Sequence, residues 1–312
     1  MPTVTLARLA MATRFEIVLH GNDPVALRAA GEEALAEVDR LEDQLSLFRP
    51  ASEIARLNAR AAREPVRVTP SLFAFLQLAA QLHRESGGAF DITIAPLVRC
   101  WGFMAGGGHL PDPAALSEAR ACVGMGLVHL DADERTVRFE RPGVMLDLGA
   151  IGKGYAVEQA AEILRDGGVA SALIHGGTST IYALGCPPDS DAWKVAIESP
   201  PDSAGNLAPG PVVSLRDEAM SVSAVWGKSF SNEGKTFGHV LDPRTGQPAG
   251  AARLAAVVLP SATETDALST ALLTQGPPGH DLIANLRPSM RTLLGFDSPA
   301  GFQIETRNMS LR

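Results

Sequence analysis

The constraint that most narrows the fold of this chain is how its strand-length segments are joined. They return through short polar turns more often than through helices. Val128-His129-Leu130 and Thr136-Val137-Arg138-Phe139 flank the turn Asp131-Ala132-Asp133-Glu134, and Asn232-Glu233-Gly234-Lys235 marks a second turn. Such connections pair antiparallel neighbours, because parallel strands need a long crossover. Further strands are expected at 13–20, where Phe15, Ile17 and Leu19 alternate with Arg14, Glu16 and His20, and at 144–147, 171–174, 193–197, near Met220 and at 254–259.

Asn22-Asp23-Pro24 offers a capping side chain and a first-turn proline, and from 25 to 45 the residues Ala34, Val38, Leu41 and Leu45 recur at helical spacing. More helices are expected at 70–82, before the break Gly87-Gly88, at 154–164, before Gly167-Gly168, and at 262–274. The stretch 187–211, rich in Pro, Asp, Ser and Gly, reads as surface loop around the strand at 193–197. The sum is an α+β fold, a largely antiparallel sheet core with flanking helices. It forms a single domain over 1–312 or two closely packed lobes, and no fixed-period repeat is present.

A chain of 312 residues with 46% hydrophobic content can bury a sizeable core. Its net charge of −8 argues against a nucleic-acid partner, which would require concentrated Lys and Arg, and leaves small molecules and other proteins. Cys100, Cys122 and Cys186 are too scattered for a disulfide framework and read as buried small hydrophobes. No stretch is long and apolar enough for a transmembrane segment, and the N-terminus shows no signal-peptide pattern. The sequence as it stands reads as soluble and cytoplasmic; a periplasmic or membrane-anchored protein is the alternative if an export signal has been removed.

On a helix over 262–274, Asp266 and Thr270 share one face, so a carboxylate and a hydroxyl can bind one hard cation. The plainer reading is that Thr263 or Thr265 caps the helix and Asp266 is a favourable first-turn charge. Gly149-Ala150-Ile151-Gly152-Lys153-Gly154 lacks the residues of a P-loop, yet a glycine turn entering a helix presents backbone N–H groups, and Lys153 adds a charge suited to phosphate. Its plain reading is a tight turn. His175-Gly176-Gly177 looks like an esterase oxyanion segment, but no GxSxG elbow supplies a nucleophile. The seven histidines show no zinc-site spacing. His239 leads a strand into the turn Asp242-Pro243-Arg244-Thr245-Gly246, which by itself is a hairpin turn with Asp242 and Thr245 bonded to the backbone.

In order along the chain, Met11-Ala12-Thr13, the segment 45–50 with Ser52 and Leu57-Asn58, Gly88-Ala89-Phe90-Asp91-Ile92-Thr93 with Pro96-Leu97 and Trp101-Gly102-Phe103, and the blocks 147–156, 239–246 and 265–271 resemble the ApbE-type family of FAD:protein FMN transferases. The resemblance implies that Met11, Phe48, Ala89, Phe90, Asp91, Asp147, Lys153 and Val240 hold FAD, which is a substrate. It implies that the Ala150 carbonyl, Asp266 and Thr270 bind Mg²⁺. The implied reaction transfers FMN from FAD to a Ser or Thr hydroxyl of an acceptor flavoprotein, forming a phosphoester and releasing AMP. His239 is the candidate proton acceptor, since imidazole titrates near neutrality, or else it positions the flavin. FAD pyrophosphatase activity and non-catalytic FAD binding stand as alternatives. The chain departs from the family in reading His175-Gly176-Gly177-Thr178-Ser179-Thr180 where an acidic residue often follows the glycines, and in exchanging the usual Gly and Ala at Ala150 and Gly152.

Overall fold

The computed structural model describes residues 1–200 and 209–310. Its elements, in order, are β1 (Thr3–Ala10), β2 (Thr13–His20), α1 (Pro24–Leu45), α2 (Glu53–Arg60), β3 (Val66–Arg67), α3 (Pro70–Glu85), α4 (Ala95–Cys100), α5 (Pro113–Arg120), β4 (Val128–Asp131), β5 (Thr136–Phe139), α6 (Gly152–Asp166), β6 (Ala172–Gly176), β7 (Thr180–Leu184), β8 (Trp193–Glu198), β9 (Pro209–Leu215), β10 (Glu218–Ala224), β11 (Ser229–Asn232), β12 (Lys235–Gly238), β13 (Leu254–Leu259), α7 (Ala262–Gln275), α8 (His280–Ala284), β14 (Arg291–Ser298) and β15 (Gly301–Arg307). Eight strands form one sheet in the order β1-β2-β6-β7-β10-β13-β14-β15. Every pairing in it is antiparallel. A small sheet β3-β5-β4 and two separate hairpins, β8-β9 and β11-β12, lie outside it.

Both faces of the central strands are covered, and this explains their composition. In β13, Ala255, Val257 and Leu259 join the main core beneath the helices, while Leu254, Ala256 and Val258 meet Trp193, Val195, Val213 and Leu215 of the β8-β9 hairpin. A strand buried on two sides reads as a continuous apolar run rather than an alternation. Edge-proximal β2 buries Phe15, Ile17 and Leu19 and leaves its other face partly open, so it alternates. Helix α1 starts where Asp23 accepts hydrogen bonds from the N–H groups of Val25 and Ala26. It packs Leu27, Ala34, Leu35, Val38, Leu41 and Leu45 into the core. Helix α7 has no exposed face; residues all round it are buried or half-buried, polar ones included, as in a helix enclosed by its neighbours.

Several expectations need correction. Residues 144–147 are not a strand, because the backbone groups of Leu146 are taken by a side chain instead of a neighbouring strand: Leu146 N–H donates to Asn58 Oδ1 at 2.8 Å and Leu146 O accepts from Asn58 Nδ2 at 2.9 Å. Within 187–211, the end of the segment is strand rather than loop, since β9 pairs with β8, while 201–208 lie outside the described residues. Before the 242–246 turn there is only an isolated bridge, Leu241 to Pro248. The three cysteines are free, as expected, but half-buried rather than buried. No described helix is long and apolar enough to cross a membrane.

The Asn58 clamp generates a prediction. Replacing Asn58 with Ala removes two hydrogen bonds and leaves the Leu146 amide groups unpaired, which should cost about 1–3 kcal/mol of unfolding free energy by urea titration.

Candidate active site

Strand register gathers several chain turns at one rim of the large sheet. There β1 ends at Ala10 and β2 begins at Thr13, β6 ends at Gly176 and β7 begins at Thr180, and β10 ends at Ala224 opposite the start of β13 at Leu254. The β1-β2 turn is made by Met11 and Ala12, both left-handed, at φ 49° and 58°. That region costs a non-glycine residue about 1–2 kcal/mol, so the Met11 conformation is imposed by its surroundings. Gly177, at φ 69°, packs against it: its N–H donates to Arg14 O at 3.0 Å, and a Cβ there would lie 2.5 Å from Thr13 Oγ1.

Below this rim, α6 and α7 approach closely at Gly154. A Cβ on Gly154 would sit 2.2 Å from Ala262 O and 2.7 Å from Asp266 Cβ. The contact is polar: Gly154 N–H donates to Asp266 Oδ2 at 2.9 Å. Gly154 stands in the first turn of α6, three residues after the N-cap Ile151, where N–H groups have no partner inside the helix, so the Asp266 carboxylate serves as a cap. Ala150 lies before that cap and its carbonyl receives no backbone donor, whereas the Ile151 carbonyl opens the helix ladder by accepting Tyr155 N–H at 3.0 Å. Lys153 Nζ lies 3.8 Å from Asp266 Oδ2 and donates to Gly149 O at 3.0 Å. Thr270 Oγ1 contacts Asp266 O at 3.3 Å and Ser223 Oγ at 3.2 Å. The capping residue of α7 is Ser261, not Thr263 or Thr265, so Asp266 lies beyond the cap, with its side chain 5% exposed.

The donor set suits a hard divalent cation: a carboxylate, a hydroxyl and a carbonyl that lies before the helix cap and outside the ladder. Among the described residues no group of three or more His, Cys, Asp or Glu could hold a metal, so any metal shell must be completed by substrate or water oxygens. The glycine turn is less available than its sequence suggests. The N–H of Gly149 goes to Asp147 Oδ1, those of Ile151 and Gly152 go to Leu148 O, and that of Gly154 goes to Asp266. The Lys153 ammonium is the charged group of this turn suited to phosphate, beside the N–H groups of Ala150 and Lys153.

Asp147 is tied to the 89–93 segment, because its N–H donates to Ile92 O at 2.7 Å. Burial pushes its carboxyl above the usual range, against the opposing effects of the Gly149 N–H and the Lys153 charge. His239 directs Nδ1 at Lys228 O, 3.0 Å away, so the tautomer protonated at Nδ1 leaves Nε2 as acceptor. Burial, with the charges of Lys228 and Lys153, lowers its pKa from the ordinary imidazole value despite the Lys228 carbonyl bond.

The remaining sequence-predicted residues differ in what they present. Ala89 and Phe90 are buried, 1% and 2% exposed, as part of the main core, so their side chains are not available to a ligand. The Asp91 carboxylate is buried and bonded to Thr93 N–H and Oγ1. Phe48 stands 72% exposed after α1, and Val240 is half-buried, its carbonyl accepting Ala249 N–H at 2.8 Å. Asp147, Lys153, Asp266 and Thr270 are thus joined by direct contacts or one intervening residue, and His239 feels the Lys153 charge. A cleft of about 480 Å³ opens beside Gly88 and Asp91, bordered by His83, Arg120 and Arg244. Sequence reasoning missed Ser223 and the role of Gly154; Ser223 is betrayed only by strand register, which turns the alternating Ser221 and Ser223 of β10 toward α7.

An antiparallel α+β scaffold with a Lys, an acidic residue and a hydroxyl gathered below one rim defines a candidate enzyme for a phosphate-bearing substrate. Residues 11–294 match the ApbE family, and the chain belongs to it. A FAD:protein FMN transferase of Treponema pallidum is 33% identical over 285 residues, covering 86% of this chain and 78% of the relative. One of Klebsiella pneumoniae is 28% identical over 272 residues, covering 86% and 77%. The apo form of the Pseudomonas stutzeri flavinyl transferase ApbE superposes with a TM-score of 0.84 at 28% identity, covering 98% of this chain and 94% of that one.

The raised carboxyl pKa at Asp147 means that its ionised form costs the folded state stability. Asp147→Asn keeps an oxygen acceptor for Gly149 N–H and removes the charge. Its thermal midpoint should exceed wild type at pH 7, and the gain should fade as pH falls through the raised pKa, where the native carboxyl is already neutral.

Proposed function

We propose that this chain transfers the FMN half of FAD to a Ser or Thr hydroxyl of an acceptor flavoprotein, with Mg²⁺ bound by Ala150 O, Asp266 and Thr270. The observation that carries the reading is the capping bond from Gly154 N–H to Asp266, which seats a carboxylate, with the Thr270 hydroxyl one turn on, at the N-terminus of α6, where the Ala150 carbonyl has no backbone donor. A Mg²⁺ ion held there supplies charge neutralisation at the pyrophosphate.

The chain's own residues supply the rest. Lys153 places an ammonium beside the site for the phosphate oxygens. Neutral His239 accepts the hydroxyl proton at Nε2 while Lys228 O fixes its tautomer. The hydroxyl oxygen forms a bond to the phosphorus of the FMN half, the bond from that phosphorus to the AMP oxygen breaks, and AMP leaves. The flavin is held by the half-buried Met11 and Val240, the exposed ring of Phe48, the backbone of Ala89 and Phe90, and the segment anchored by Asp91 and Asp147.

Incubation with FAD, Mg²⁺ and an acceptor flavoprotein should add one FMN mass to the acceptor and release AMP. Free FMN without acceptor labelling would mark a pyrophosphatase, and tight FAD binding without either product a binding protein. Asp266→Asn retains an acceptor for Gly154 N–H and removes the charge, so Mg²⁺ affinity by calorimetry should fall about tenfold or more while the thermal midpoint stays close to wild type. Unchanged Mg²⁺ affinity would remove the metal assignment. Because the His239 pKa lies below the ordinary 6.5, kcat/KM should be flat through neutrality and decline only at more acidic pH, as the imidazole protonates.

A further inference from the structure

We propose that His83, on α3, is a positioning residue for FAD that clamps the 89–91 segment in its binding conformation, an inference that rests on the reading of that segment as a flavin contact. The segment follows Gly87 and Gly88, both left-handed, at φ 61° and 78°. Two glycines in this region form a joint with little conformational preference of its own. Something outside the joint must therefore fix what comes after it.

His83 does so from two sides. Its carbonyl accepts Gly88 N–H at 2.9 Å. Its ring Nδ1 lies 3.0 Å from Phe90 O and 3.2 Å from Asp91 Oδ2. Asp91 Oδ1 in turn accepts from Thr93 N–H at 2.7 Å and Thr93 Oγ1 at 2.6 Å, and Thr93 Oγ1 accepts Gly124 N–H at 2.6 Å. The imidazole thus heads a continuous chain of hydrogen bonds that crosses the segment and ends past α5. The same segment carries Asp147 through Ile92 O, so a shift at 89–93 is passed to a second predicted flavin contact.

The charges that face His83 are Asp91, Arg84 of its own helix, and Arg120 and Arg244 across the cleft, with Arg244 paired to Asp242 at 2.9 Å. Burial opposes the imidazolium, but the Asp91 carboxylate and Phe90 carbonyl outweigh it and raise the pKa above the ordinary 6.5. The ionic part of the clamp is therefore complete below that ordinary value and is lost as pH rises through the raised one.

The test is FAD titration of the full chain with Mg²⁺, followed by transfer kinetics, for wild type, His83→Ala and His83→Asn. Loss of the clamp in His83→Ala should weaken FAD binding about tenfold while kcat at saturating FAD changes less than about twofold. His83→Asn, whose amide N–H can occupy the place of Nδ1, should recover most of the affinity and lose the weakening that wild type shows with rising pH. Wild-type affinity in His83→Ala, a fall in kcat at unchanged affinity, or the full pH dependence persisting in His83→Asn would each overturn the assignment. Failure of the wild type itself to bind FAD would instead overturn the flavin reading, so the two are separable.

Discussion

A single hydrogen bond, from the Gly154 N–H to the Asp266 carboxylate, fixes how α6 and α7 meet and what chemistry their meeting offers. It is possible only because residue 154 has no side chain, since a methyl group there would collide with the Ala262 carbonyl. The bond has two effects at once. It holds a mostly buried carboxylate in place with a backbone donor, and it satisfies an N–H of the first turn of α6 that has no partner inside the helix. Lys153, one residue earlier, then stands against the same carboxylate.

The sheet makes this local arrangement rigid. With helices on one face and the β8-β9 hairpin on the other, its central strands are closed on both sides, and α7 is enclosed between the sheet and α6. Polar atoms on such a helix need partners inside the protein. Thr265, Ser269 and Thr274 bond to carbonyls of their own helix, and Ser221 and Ser223 of β10 meet Thr265, Ser269 and Thr270.

Much of the fold is legible in the residues, for identifiable reasons. The strand at 13–20 and helix α1 are signalled by clean periodicity and by the Asp23 cap, and the apolar run 254–259 by its length. The segment 144–147 misled because its strand-like residues find scattered partners in place of a neighbouring strand, Leu146 on an asparagine distant in sequence and Asp147 on Ile92 O, which no local pattern reveals. The hairpin partner β9 was hidden in a Pro- and Gly-rich stretch whose composition speaks for loop. At the site, the i, i+4 spacing of Asp266 and Thr270 was readable as one helical face. The amide-rich turn before α6 was not readable, since the partners of most of its N–H groups, Asp147, Leu148 and Asp266, are set by the folded structure and not by the turn's own residues. His83 was invisible as well, because a histidine near the end of an amphipathic helix carries no mark of the loop it faces.

The hydroxyl contacts between β10 and α7 act as a key. Rotation of α7 by one residue, about 100°, would strand at least three of these hydroxyls in a dry interior while swinging the carboxylate away from Gly154. Orientation of the face that carries Asp266 and Thr270 is therefore enforced in large part by Ser221, Ser223, Thr265 and Ser269, alcohols outside the proposed ligand set. A serine-to-alanine exchange in β10 therefore loosens the seating of α7 while leaving every side chain of the proposed site in the sequence.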